Sequence, residues 1–156
     1  MLKYKILFIL IFCISLLSSK SNYPRIEILP VQCFNNPYLD KILDSLRIEE
    51  SCNGKYLLNI NRDKKGKELS RDEGDYQHNN KNWLIFANLY NDGKRYNPYN
   101  SELSRRISRQ YIIDNYKITG NYFDALVMYN CGYPHWNKGA PYKSFLFAEE
   151  IMRRIK

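Results

Sequence analysis

Five carboxylates stand where their spacing could serve acid or base chemistry: Glu49 and Glu50, and the group Asp72, Glu73 and Asp75. Glu50 is the most unusual of them. Between Leu39 and Cys52, the residues Leu39, Ile42, Leu43 and Leu46 recur at helical spacing and define one buried face. At about 100° per residue, Glu50 falls near the middle of that face and Glu49 near its edge. A carboxylate among apolar side chains is costly to ionise. Asn53-Gly54 reads as a helix stop, so Glu50 also sits at the negative end of the helix dipole. Both effects favour the protonated acid. A carboxylic acid still protonated near neutral pH is what glycosidic bond cleavage asks of its general acid. The same position admits a plainer reading, an ion pair with Arg47 or Lys55 at a half-exposed helix end.

The other reactive side chains are sparse. There are two histidines, His78 and His135, and no CxxC or dense Cys/His cluster, so the sequence offers no metal site and calls for no cofactor. Cys13 lies in an apolar run near the start. The remaining thiols, Cys33, Cys52 and Cys131, allow at most one intramolecular bridge.

The elements that must position Glu50 can be read in order. Residues 1–19 have the form of a secretory signal: Lys3 and Lys5, then the apolar run Ile6 to Leu17, then Ser18-Ser19. The run is short for a membrane span. A membrane therefore enters only through this leader, if it stays uncleaved. Residues 20–36 carry Pro24 and Pro30 and read as an extended lead-in. Asn36-Pro37 opens the first helix. Tyr56 to Ile60 is a short strand, Asp63 to Gly66 a turn, and Glu68 to Gln77 a hairpin or long loop. The rest reads as helices. One covers Trp83 to Leu89. The next is capped by Ser101, carries Leu103, Ile107 and Tyr111 on one face, and ends at Gly120. Another holds Phe123, Leu126 and Tyr129 and stops at Cys131-Gly132, and a last one follows Pro141 with Phe145, Ala148 and Met152 inward. The fold class is α+β, mainly α-helical, with a short β or irregular insertion.

The formal charge is +8, and loss of Lys3 and Lys5 with the leader lowers it by two. Such a surface suits a polyanion: nucleic acid, anionic lipid or an acidic wall polymer. The charges are spread along the chain. The clusters Arg105, Arg106, Arg109 and Lys64, Lys65, Lys67 read as solvated faces. The leader and the lack of a concentrated basic stripe argue against a nucleic-acid partner.

Four segments then stand in a telling order: Glu50-Ser51, Gly74-Asp75-Tyr76-Gln77, Tyr96-Asn97-Pro98-Tyr99-Asn100, and Ala125-Leu126-Val127-Met128-Tyr129-Asn130-Cys131-Gly132. This set resembles the lytic transglycosylase (SLT) family, which has a lysozyme-like fold. The family pattern is Glu-Ser at a helix end, then Gly-Leu-Met-Gln, then Ala-Leu-x-x-Tyr-Asn-x-Gly. Asn59-Ile60-Asn61 followed by Gly74 to Asn79 is similar to the small branch associated with export apparatus. The resemblance spans roughly residues 37–155, so residues 37–156 are expected to form one lysozyme-like domain. The chain departs from the pattern at Asp75 and Tyr76, where the family is apolar, and at Cys52 and Cys131. The two cysteines flank site motifs; they read as two small buried thiols or as facing partners of a bridge.

The resemblance implies cleavage of the β-1,4 bond between N-acetylmuramic acid and N-acetylglucosamine in peptidoglycan, giving 1,6-anhydro ends. Glu50 would be the sole general acid and base. Ser51 and Gln77 would bind the sugar, Tyr129 would hydrogen-bond and orient Glu50, and Asn130 would line the cleft. It implies no cofactor, an exported protein of the periplasm or cell envelope, glycan strands as substrate, and a secretion or motility apparatus as a class of partner. Two other readings stand beside it. One is a lysozyme-type hydrolase in which Asp72, Glu73 or Asp75 positions water. The other is a non-catalytic wall-binding or secretion scaffold, suggested by the altered Gly-Asp-Tyr-Gln.

Overall fold

Asn36 accepts hydrogen bonds from the backbone N–H groups of Tyr38 and Leu39, and Pro37 opens the helix behind it. That first helix, α1 (Pro37–Ser51), ends where Cys52 turns left-handed and its N–H reaches back to the carbonyls of Arg47 and Ile48. The structure is a computed structural model that describes residues 36–156. The leader of residues 1–19, the lead-in before Asn36, and Cys33 lie outside the described residues.

Three antiparallel strands follow, β1 (Leu58–Arg62), β2 (Glu68–Glu73) and β3 (His78–Asn79), in that order across the sheet. The first connection is the polar turn at Asp63, whose carboxylate accepts from the N–H groups of Lys65 and Lys67. Glu68 to Gln77, read as a hairpin or a long loop, is the second strand of a hairpin with β1 followed by the turn into the short β3. A 3-10 turn (Asn80–Asn82) leads into α2 (Trp83–Tyr90). Then come α3 (Ser101–Thr119), α4 (Tyr122–Cys131), the short α5 (Tyr133–Trp136) and α6 (Tyr142–Arg154). The described chain is mainly helical with one small antiparallel sheet. Among these residues no helix is long and apolar enough to cross a membrane.

The main core joins α1, α3, α4 and α6. Leu39, Ile42, Leu43 and Leu46 from α1 pack against Ile112, Leu126, Val127, Ala148 and Ile151, with Tyr76 closing the cluster from the turn after β2. Burying each large aliphatic side chain of this kind contributes roughly 1.5–3 kcal/mol. A smaller cluster of Phe86, Ala87, Tyr96 and Ile107 fixes α2 against the N-terminal half of α3. Helix α3 serves both clusters, which explains its length.

The caps differ from the sequence reading at one helix. Asn100, not Ser101, accepts the N–H of Leu103 and caps α3. Ser101 is the first helical residue, and its hydroxyl donates to the Asp75 carboxylate instead. Of the arginine cluster only Arg106 is exposed as a solvated face would be; Arg105 and Arg109 are not. Arg105 pairs with Asp40 at 3.2 Å and Asp44 at 2.6 Å, and the buried Arg109 pairs with Asp40. These pairs bolt α3 to the first turns of α1. The two cysteines among the described residues are free: Cys52 is exposed and Cys131 half-buried, so they are neither bridged to each other nor two buried thiols.

The turn Gly74–Gln77 ties the sheet to the helices. Asp75 and Tyr76, polar and aromatic where the family pattern is apolar, are both buried. Asp75 pairs with Arg47 of α1 at 3.1 Å and accepts from Ser101 of α3. The Tyr76 hydroxyl accepts from Arg105 at 3.2 Å. Gly74 makes this possible, because its φ is +80° and a Cβ there would lie 2.0 Å from the Pro98 carbonyl oxygen. Gly74→Ala is expected to cost at least about 3 kcal/mol in denaturant unfolding. Gly66→Ala is the control. It has the same left-handed φ, +81°, but open space around it, so the expected loss there is only about 1 kcal/mol. Equal losses at the two sites would mean that the contact with Pro98 does not limit the fold.

Candidate active site

One cleft of about 520 Å³ opens between the sheet and the helices. Glu50, Gln77, Tyr129 and Asn130 line it together with Asp72, His78, Asn59 and Asn79. Four of the five site residues expected from the sequence are therefore brought together. The fifth, Ser51, is not among the lining residues. It is 1% exposed, its hydroxyl donates to the Arg47 carbonyl at 3.0 Å, and it accepts from the Gly54 N–H at 2.9 Å. Ser51 closes the end of α1 rather than facing a ligand.

Glu50 arrives at the cleft from the last turn of α1. Its ion-pair candidates are engaged elsewhere: Arg47 is held by Asp75, and the Lys55 ammonium lies 5.3 Å from the centre of the Tyr56 ring. Its neighbour Glu49 points to α6 and pairs with Arg154 at 2.8 Å. Among the described residues, none forms an ion pair or hydrogen bond with the Glu50 carboxyl. The residue keeps some accessible surface on the cleft side, yet protein surrounds the carboxyl closely. Burial, reinforced by the nearby charges of Asp72 and then Glu49, pushes its pKa up to about 8. Glu50 is thus mostly protonated at neutral pH, as its place on the apolar face of α1 led one to expect.

Asp72 is the second carboxyl group of the cleft and has the opposite surroundings. Oδ2 accepts from Asn61 at 2.7 Å and from Asn59 at 3.4 Å, and Oδ1 accepts from Asn79 at 2.6 Å. Asn59 and Asn79 are its direct cross-strand neighbours on β1 and β3. The sheet therefore presents a polar face to the cleft, with a carboxylate at its centre clasped by three side-chain amides. The other two acids of this group do not line the cleft. Glu73 is buried and accepts from the Tyr99 hydroxyl, and Asp75 is the clamp already described.

The amides at the rim have one end tied and one end free. Gln77, with φ at +46°, donates its amide nitrogen to the carbonyls of Gly74 at 2.9 Å and Tyr56 at 3.2 Å. Its amide oxygen is left to accept from a ligand. Asn130 is the converse. Its oxygen accepts from Ser144 at 2.7 Å, and its amide nitrogen is left to donate. An acceptor and a donor on fixed backbones suit the hydroxyl and acetamido groups of a sugar.

Tyr129 does not hydrogen-bond Glu50, which corrects the expected contact. Its hydroxyl lies 3.1 Å from His78 Nε2, 3.3 Å from Ser108 Oγ and 3.3 Å from the Tyr76 carbonyl oxygen. Ser108 was not singled out from the sequence, and His78 and Tyr96 were named there, one as one of two histidines and the other within the Tyr96–Asn100 segment, without a role in the site. His78 is 4% exposed; Nδ1 meets the Tyr96 hydroxyl and Nε2 meets Ser108 at 2.9 Å. Burial lowers the imidazole pKa to about 3, so it is neutral in the folded protein. The only sequence signal was its place one residue after Gln77. No protein-family model matches the chain, nor does any curated protein or solved structure.

Proposed function

We propose that the protein cleaves the β-1,4 bond between N-acetylmuramic acid and N-acetylglucosamine in peptidoglycan, as a lytic transglycosylase with Glu50 as its general acid and base. The observation that carries this reading is Glu50 itself: a carboxyl protonated near neutrality, without an ion-pair or hydrogen-bond partner among the described residues, in a cleft lined by amides. The Glu50 proton passes to the leaving O4 of N-acetylglucosamine as the C1–O4 bond breaks. The C6 hydroxyl of the muramoyl unit then closes on C1 and returns its proton to Glu50. One acid is regenerated in each cycle, and its raised pKa suits both steps. The chain's resemblance to the transglycosylase family supplies the substrate class. Its basic surface and secretory-type leader agree with an envelope polymer. The departures at Asp75 and Tyr76 do not weaken this reading, because both side chains are packed and satisfied.

Asp72 favours a second reading, a hydrolase. A second carboxyl group facing the acid across a cleft is the arrangement that glycoside hydrolysis uses. Against it, three amides occupy most of the acceptor sites of Asp72. That weakens it as a base or nucleophile and suits it to stabilising the positive charge that develops at C1. Mass spectrometry of fragments from purified peptidoglycan separates the two. Anhydro ends, lighter by one water, are expected. Reducing ends would establish the hydrolase. Asp72→Asn adds a graded test: loss of about 10²–10³-fold is expected for charge stabilisation, whereas near-abolition would assign Asp72 a chemical step.

A further inference from the structure

The polar network behind Tyr129 has a single consistent direction. The Tyr76 carbonyl can only accept, so the Tyr129 proton is committed to it at 3.3 Å. Ser108 stands 3.3 Å from the Tyr129 oxygen and donates to it. Ser108 in turn accepts from His78 Nε2 at 2.9 Å, and the same N–H also reaches Tyr129 at 3.1 Å. Nε2 therefore carries the imidazole proton, and Nδ1 accepts from Tyr96. Protons run from Tyr96 to His78, to Ser108, to Tyr129 and to the Tyr76 backbone. With His78 and Ser108 supplying donors and Tyr76 taking the proton, Tyr129 has none to offer toward Glu50.

We propose that His78 is a positioning residue for the acid: with Ser108 it turns the Tyr129 proton onto the Tyr76 carbonyl and away from Glu50. The two side chains meet the same cleft, and the Glu50 charge acts on the Tyr129 phenol. A phenol donating to the carboxylate would stabilise the ionised form and spoil the acid. The charges that act on Glu50 are those of Asp72 on β2 and Glu49 on its own helix, and Tyr129 on α4 lines the same cleft. Those around His78 are the rings of Tyr76, Phe86, Tyr96 and Tyr129, none of them carrying a charge at neutral pH. This inference rests on the reading of Glu50 as the general acid.

The test is a carbon NMR titration of the Glu50 carboxyl in wild type, Ser108→Ala and His78→Met, with folding checked by circular dichroism. With one of its two donors removed in each variant, the Tyr129 hydroxyl is expected to turn toward Glu50 and lower its pKa by about one unit or more. The alkaline limb of the pH–rate profile should move down with it. His78→Gln keeps an N–H donor toward Ser108 and Tyr129 and should hold the wild-type value. Adding Tyr129→Phe to Ser108→Ala should cancel the shift. Nitrogen NMR of the wild type reads the tautomer directly, with Nε2–H expected. A proton on Nδ1, or an unmoved Glu50 titration in folded Ser108→Ala, would overturn the proposal. If wild type cleaves no glycan, the reading of Glu50 fails instead, and the titration still reports on His78.

Discussion

Glu50→Gln is expected to lower turnover of peptidoglycan by about 10²–10⁴-fold while leaving the protein folded. The expectation follows from the state of the residue rather than from its presence in a motif. At neutral pH Glu50 is mostly a neutral acid, so glutamine replaces one uncharged group with another of nearly the same shape. No ion pair or hydrogen bond to a described residue is lost, because the carboxyl makes none. What disappears is the transferable proton. Binding of glycan should persist, since Gln77 and Asn130 keep their free acceptor and donor. The measurement is soluble-fragment release together with sedimentation on insoluble peptidoglycan. Wild-type protein that binds and releases nothing would point to a wall-binding scaffold. A Glu50→Gln variant that retains more than about a tenth of the activity would remove Glu50 from the acid role.

How much of this was legible depends on whether the signal was local. Periodicity on α1 placed Glu50 on an apolar face, and the stops at Asn53-Gly54, Gly120 and Cys131-Gly132 marked helix ends, because caps and periods are written within one turn. Asp72 was one of three equivalent acids until the sheet formed. Only the strand register brings Asn59 and Asn79 opposite it and sends Glu73 and Asp75 elsewhere. A trace of this was present: Asn59-x-Asn61 and Ser70-x-Asp72 are polar residues at a period of two, which marks one face of a pair of strands. Ser51 failed for a local reason. Its hydroxyl is taken up by backbone groups at the end of α1, donating to the Arg47 carbonyl and accepting from the Gly54 N–H, so it is not offered to the cleft. His78 was missed because its partners Tyr96, Ser108 and Tyr129 come from three distant segments. No spacing rule joins them. Ser101 and the arginines illustrate the same limit, since their partners on the Gly74–Gln77 turn and on α1 exist only after packing.

The two perturbed groups of the site should also bound the stability of the whole domain, from opposite sides. Glu50 has a folded pKa of about 8 against 4.5 for an unperturbed carboxyl. Between those values the folded chain binds more protons than the unfolded one, so stability falls as pH rises from 4.5 to 8. His78 is the mirror image, with a folded pKa of about 3 against 6.5. Below pH 6.5 the unfolded imidazole takes a proton that the buried one refuses, so stability falls as pH drops from 6.5 towards 3. From 4.5 to 6.5 the two slopes oppose each other, and their contributions there should sum to a plateau. With about 1.36 kcal/mol per unit as the ceiling, each group should contribute about 2–4 kcal/mol over its full range, of which about 1–2 kcal/mol shows in the arm outside the plateau. Urea unfolding across this range, compared with the variants, isolates each group from the remaining acids and bases. Glu50→Gln should lose the alkaline fall and become more stable than wild type at pH 8, by an amount that vanishes near pH 4. His78→Gln should flatten the acid arm and leave the alkaline one in place. Stability curves of wild type and Glu50→Gln that run parallel from pH 4.5 to 8 would mean that Glu50 is ionised in the folded state, and a residue ionised there has no proton to give a glycosidic oxygen.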